Sequence, residues 1–280
     1  MDQIALVTDS TADLTAEMKK EANAHIIPLR VRFGETEYCA DELTSEEFYR
    51  RLALEKELPK TSQPSPGELH DLYCKLLENY REIISVHLSS GLSGTLNVAR
   101  IAAEKLKGKV HLVDSKTISL GAGIMVMEAA KHIRDGLEAR QVVELLAKAR
   151  RNIETLFTLN TLEYLQKGGR IGKVHNLVGS ILNIKPVVRV GDDGIYHTYE
   201  KARGQEKALQ SIVRAFKDLA KGRNRIKLAV AHGAAEQAGL DLKAALENAF
   251  QIPIGIFTQV GPVIGVHTGP GTVGAAIQYE

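Results

Sequence analysis

The stretch SVHLSSGLSGTLNVAR, Ser85 to Arg100, decides how this chain is read. A β-branched apolar run, EIISVHL, ends in serines and glycines, and a helical pattern follows from about Thr95. Such a strand–turn–helix junction exposes backbone amides and places a hydroxyl, that of Ser93, at the positive end of a helix. The same grammar surrounds it. IALVTDS reads as a buried strand and TADLTAEMKKEAN as a helix with Leu14 and Met18 four apart. HIIPLRVRF reads as one strand closed by Gly34, and KVHLVDS as another strand. Two capping boxes, Thr44 with Glu47 and Ser65 with Glu68, open helices, the second with Pro66 at the first helical position. A helix-rich stretch runs from Ser119 to Arg151. Strands alternating with helices predict a mostly parallel sheet flanked by helices, which binds ligands beyond the carboxyl ends of its strands. Three polar ends fall there: Thr8–Thr11, Leu88–Thr95 and Asp114–Thr117.

After about residue 153 the pattern changes. IKPVVRVGDDGIYHTYEKA reads as two strands joined at GDDG, a hairpin signal. PIGIFTQVGPVIGVHTGPGTVG reads as a pair of strands interrupted by glycine and proline. The expected fold is α/β in two domains. Residues 1–152 form an N-terminal, mostly parallel sheet flanked by helices. Residues 153–280 form an α+β domain with a mixed or antiparallel sheet. The chain has 280 residues, 44% hydrophobic and 25% charged, with a net charge of +2, so bulk charge favours neither nucleic acid nor an anionic membrane as a partner. There is no Trp and aromatics are 5%, which argues against a stacking platform for single strands. Cys39 and Cys74 form no metal or disulfide spacing, no basic signal region precedes the first strand, and ISLGAGIMVM is too short to span a bilayer. A cytoplasmic protein without a metal or cofactor is expected.

Four motifs are candidates for chemistry. In PKTSQPSPGE, Thr61 and Ser62 lie in an expected loop before a helix, where capping is the ordinary explanation. SSGLSGT offers Ser93 and Gly94, with a tight turn as the ordinary explanation. LEYLQKGGRIGK ends a helix at a glycine pair, with Lys167, Arg170 and Lys173 as solvated cations. GPVIGVHTGPGTVG places His267 between a strand-like run and a glycine–proline turn. Gly91-Leu92-Ser93-Gly94-Thr95 misses the G-x-S-x-G nucleophile elbow, because the second glycine comes one position early. KGGRIGK has the wrong spacing for a phosphate-binding P-loop, and no paired-histidine motif suggests a metal.

Taken together and in order, VTDSTADL, KTSQPSPGE, SSGLSGT, VDSKTISLGAG, LEYLQKGGRI, NIKPV and GPVIGVHTGPGTVG resemble the DegV family of bacterial fatty-acid-binding proteins over essentially the whole chain. The resemblance implies two domains with one long-chain fatty acid buried between them. It also implies a carrier that is not itself an enzyme and that presents the carboxylate to a separate ATP-dependent fatty acid kinase. That kinase makes an acyl phosphate for phospholipid synthesis. The matching positions are Thr61, Ser62, Ser93, Gly94 and His267 for the carboxylate, and Arg170 for the kinase contact.

The physics agrees. A carboxylate leaving water needs hydrogen-bond donors, which hydroxyls, an amide and an imidazole supply. About 12 buried methylenes contribute roughly 10 kcal/mol before association costs. Ile118–Ala130 and Leu177–Val188 are the apolar candidates for the tail, and ordinary core is their simpler explanation. Two other functions compete: a lipid esterase or thioesterase using Ser93 and His267, and a fatty-acid-sensing regulatory module.

Overall fold

A computed structural model describes residues 2–177 and 184–280. Four strands, β1 (Asp2–Asp9), β2 (Ala24–Ile27), β6 (Tyr80–His87) and β7 (Val110–Asp114), form a parallel sheet in the order β2-β1-β6-β7. The order reverses between β1 and β6, so the carboxyl ends of these two strands flank a switch point of the kind that holds ligands. Helices α1 (Ala16–Ala22), α3 (Pro66–Leu77), α4 (Thr95–Ala103), α5 (Ser119–Arg134) and α6 (Ala139–Ala149) connect and flank the strands.

The expected single strand through residues 25–33 is two strands in two sheets. Pro28 has no N–H to give a ladder, and the chain leaves the parallel sheet there. It re-forms as β3 (Arg30–Phe33), the centre of a small antiparallel sheet with β4 (Thr36–Cys39) and β5 (Lys60–Ser62). Thr61 and Ser62 therefore lie on a strand, not in a loop. The Ser65 capping box before α3 is reciprocal. At α2 (Ser45–Leu52) only half the expected box forms: Thr44 caps the Glu47 amide, while the Glu47 carboxylate turns to Arg51.

The second half is a six-stranded sheet in the order β10-β9-β8-β13-β11-β12. Its strands are β8 (Ile153–Thr158), β9 (Ile184–Val190), β10 (Tyr196–Arg203), β11 (Ile226–Gly233), β12 (Ile256–Gln259) and β13 (Thr272–Tyr279). All pairs are antiparallel except β11 with β12. GDDG is the hairpin turn between β9 and β10. Helices α7 (Glu163–Lys167), α8 (Gln205–Leu219) and α9 (Glu236–Phe250) complete this half together with α10 (Pro262–Thr268).

The stretch expected as a strand-like run before His267 is α10. Pro262 takes the first helical position, and the helix docks on α2, β3 and β5 of the first half. Helix α5 is apolar nearly all round and contacts strands of both sheets, as a helix buried between two layers must. The largest apolar cluster accordingly draws on both halves, from Ile4 and Leu6 through Met125 to Phe157 and Ala276. Among the described residues, no helix is long and apolar enough to cross a membrane.

Candidate functional site

Thr61, Ser93, Arg170 and His267, which are far apart in the chain, line one cavity, together with Tyr196 and Leu88. Each arrives for a local reason. Successive β5 side chains alternate, so Thr61 turns inward. Ser62 turns out to solvent and bonds the Glu37 carboxylate at 3.2 Å. Ser93 sits where β6 gives way to α4, and its Oγ accepts from the Thr95 amide at 3.3 Å and lies 2.9 Å from the Thr95 hydroxyl. Gly94 is the N-cap of α4 and contributes no capping side chain. Its amide has no acceptor among the described residues. The Ser93 amide, by contrast, already donates to the Ser89 carbonyl.

Arg170 was expected on the surface, but it is half-buried. Its guanidinium donates to the carbonyls of Gly168 (2.8 Å) and Leu92 (3.4 Å), so the end of KGGR folds back over the serine turn. Both carbonyls would otherwise lack partners at a partly dry turn. Lys167 and Lys173 do stay exposed, paired with Glu163 and Asp193.

His267 lies on α10 with Nε2 2.8 Å from Thr61 Oγ1, 206 residues away in sequence. Its Nδ1 is buried without a partner among the described residues. Burial, with the nearby Arg170 charge, lowers its pKa to about 4, so the ring is neutral at pH 7. The ring explains the first glycine of KGGR: a Cβ on Gly168 would stand 2.3 Å from His267 Nδ1. Ser93 and His267 are not hydrogen-bonded to each other; each is engaged with a threonine.

Beyond Ile118 and Ile264, which line both spaces, this cavity adjoins a more apolar one walled by Leu120, Phe157, Ala231, Val260 and Gly274. Part of this wall comes from Ile118–Ala130, the first expected apolar segment. Of the second, Leu177–Val188, residues 178–183 lie outside the described residues, and Val187 and Val188 are core. Each cavity has a volume of about 30 Å³, room for roughly one water, so a long chain fits only if the walls part. A larger cavity of about 420 Å³ lies on another side of Ile264. It is lined by the carboxylates of Asp9, Asp13 and Asp41, with Lys19 as the opposing charge. Its size does not make it the better site for an anion, because the carboxylates would repel one.

Sequence reasoning missed a second hydroxyl–imidazole cluster. Asp9 Oδ2 accepts from His87 Nδ1 (2.9 Å), His87 Nε2 is 2.9 Å from Ser85 Oγ, and Ser85 Oγ is 2.9 Å from the Tyr73 hydroxyl. Asp9 also accepts from the Leu88 and Thr11 amides. Burial alone would push its carboxyl up, but the interactions with His87, Thr11 and Leu88 outweigh that and hold it below the usual range. The order resembles a hydrolytic triad, yet Ser85, His87 and Tyr73 are 0% exposed and no substrate reaches them. Among the described residues, no group of three or more His, Cys, Asp or Glu is placed to hold a metal.

Comparison with known proteins covers the whole length of the chain. The model of the DegV family matches residues 3–280. A DegV domain-containing protein of Clostridium acetobutylicum is 40% identical, over 100% of each chain. Among solved structures, a DegV family protein from Thermus thermophilus, described for its fatty acid binding, superimposes with a TM-score of 0.93 at 34% identity, over 99% of this chain and 100% of that one. Bacillus subtilis DegV, described as a fatty acid binding protein, does so with a TM-score of 0.90 at 32% identity, over 100% of each. A stearic acid-binding protein from Eubacterium ventriosum has a TM-score of 0.91 at 26% identity, over 99% of this chain and 98% of that one. With its family model matched over residues 3–280 and its fold shared, the chain belongs to the DegV family.

Proposed function

We propose that the protein binds one long-chain fatty acid, with the carboxylate at Thr61, Ser93, Gly94 and His267, Arg170 beside it for the partner, and the tail beyond Ile118 and Ile264. The observation that carries this reading is the adjacency of a donor-lined cavity and an apolar one across the same two isoleucines. The fatty acid binding of the Thermus and Bacillus relatives supports it.

The hydrogens can be assigned. If neutral His267 donates from Nε2 to Thr61 Oγ1, the threonine proton is free for the ligand. Ser93 directs its own proton the same way while its oxygen accepts from the Thr95 amide. The Gly94 amide completes a set of donors that offsets desolvation of a carboxylate. Ser62 contributes nothing from its solvent-facing side. Tail burial drives the affinity, and the parting of the walls is part of the cost.

We further propose that the bound acid is presented to an ATP-dependent kinase, whose product is the acyl phosphate. An esterase using Ser93 and His267 is disfavoured, because the serine has no base on its hydroxyl.

Native mass spectrometry of the protein purified from lipid-replete cells tests the binding. A released species of fatty acid mass is the expected result. Empty protein that takes up neither palmitate nor oleate would refute it. Arg170→Ala tests the presentation step by pairing lipid occupancy with acyl phosphate formation by the kinase. Retained lipid with poor phosphorylation is expected, and loss of both would place Arg170 wholly in the carboxylate site.

A further inference from the structure

The serine turn does not hold itself in place. Its hub is Ser89, which is 0% exposed and outside the ligand cavity. The Ser89 carbonyl accepts from the amides of Leu92 (3.0 Å) and Ser93 (3.1 Å), and its own amide donates to the Thr117 carbonyl (2.9 Å). The Ser89 hydroxyl accepts from the Gly91 amide at 3.1 Å and donates to the carbonyl of Gly194 at 2.7 Å. That last bond crosses to the β9–β10 hairpin in the other half of the molecule. The hairpin fits closely: a Cβ on Gly194 would stand 2.1 Å from Ser89 Oγ, and one on Gly91 would stand 2.8 Å from Ile195. Gly194 also has φ +78°, a conformation that favours glycine. Arg150 ties the root of the same hairpin, donating to the carbonyls of Lys116 (2.9 Å) and Gly191 (3.4 Å).

We propose that Ser89 and the Gly191–Ile195 hairpin tip form a positioning unit that sets where the Ser93 hydroxyl stands, and so sets the preference for a carboxylate head group. The proposal rests on the fatty-acid reading above. Every polar atom of Ser89 is spent either within the turn or on tying it to Thr117 and the hairpin, and none touches the cavity. Loosening Ser89 therefore displaces the hydroxyl that meets the head group while leaving the tail wall of Ile118, Ile264 and Phe157 in place. A misplaced donor costs a charged acceptor more than a neutral one, because the hydrogen bond to the ion is the stronger.

The test measures affinities for palmitate and for hexadecanol, which share a tail and differ in the head group. The variants are Ser89→Ala, Gly194→Ala and their combination, each checked for fold by circular dichroism. Wild type is expected to prefer the acid. Ser89→Ala should weaken palmitate by roughly tenfold, the scale of one charge-assisted bond, and leave hexadecanol nearly unchanged. Gly194→Ala should act alike, and the double variant should be little worse than either, since both break one contact. If Gly194→Ala does not fold, Ser89→Ala alone decides. Equal weakening of acid and alcohol would mean general packing and overturn the proposal, as would unchanged palmitate binding. A wild type that binds neither ligand, or shows no preference, would instead overturn the fatty-acid reading beneath it.

Discussion

The cluster Asp9–His87–Ser85–Tyr73 and the cluster Thr61–His267–Ser93–Arg170 draw on similar chemistry, an imidazole among hydroxyls, the first within the parallel sheet and the second where the small sheet, α10 and the turn after β6 meet. In the first, both imidazole nitrogens have partners and the aspartate accepts from several donors in a dry interior. In the second, the Gly94 amide is unused, His267 meets Thr61 through Nε2 so that the threonine proton is left over, and a cavity opens beside Thr61 and Ser93. A satisfied buried network fixes structure, whereas donors held ready beside a cavity are available to a ligand. The triad-like order of the first cluster is therefore a feature of the core, and the less complete cluster is the site.

The sharpest way to break this contrast is Asp9→Ala. It leaves His87 Nδ1 and the Leu88 and Thr11 amides unpaired in the interior, and we expect a loss of about 3–5 kcal/mol in urea unfolding. His267→Ala should cost clearly less stability but lose lipid. Equal stability losses would sink the distinction.

A second test uses acidity. Asp13 is buried, its carboxylate taking the Ser119 hydroxyl and the Gly261 amide at the start of α10. Burial raises its pKa to about 7 from 3.8. A raised carboxyl pKa gives stability that is full below pH 3.8 and lost as pH rises to about 7. The lowered pKa of His267 gives stability that is full above pH 6.5 and lost as pH falls to about 4. At about 1.4 kcal/mol per unit, the swings are about 4 and about 3 kcal/mol and oppose each other between pH 4 and 6.5. Relative to wild type, Asp13→Asn should become less stable as pH is lowered through that window, and His267→Asn less stable as pH is raised. Unfolding titrations that show the same slope in both variants would refute the assignment.

The smallest effects discriminate within the site. Thr61→Ala and Ser93→Ala should each weaken fatty acid binding by about 1.5–3 kcal/mol, the scale of a hydrogen bond to a charged group. The adjacent Ser62→Ala should change it by less than about 0.5 kcal/mol, because its hydroxyl meets Glu37 at the surface. Isothermal titration resolves the difference, and a large Ser62 effect would mean β5 presents its other face.

Much of the fold was legible locally. The turn before α4, the Ser65 box, the GDDG hairpin and the polar ends of β1, β6 and β7 are each specified within a few residues, by amides, caps and φ preferences that neighbours satisfy. The resemblance to the DegV family was legible in the order of its motifs, and the family match confirms it. Local pattern misled where packing decides. Residues 25–33 look like one strand but divide between two sheets at Pro28, and PVIGVHT is rich in strand formers yet is helical against α2 and β3. Neither the bond from His267 to Thr61, nor the pressing of Gly168 against His267, nor the turning of Arg170 inward has a local signal. Sequence by itself determined the elements whose signals are local, such as the capped helices and the GDDG hairpin, because hydrogen bonding and capping act over one turn of chain. Only the tertiary structure decided which side chains share the cavity, because Thr61 and His267, 206 residues apart, meet only when α10 of one half and the small sheet of the other have excluded the same water.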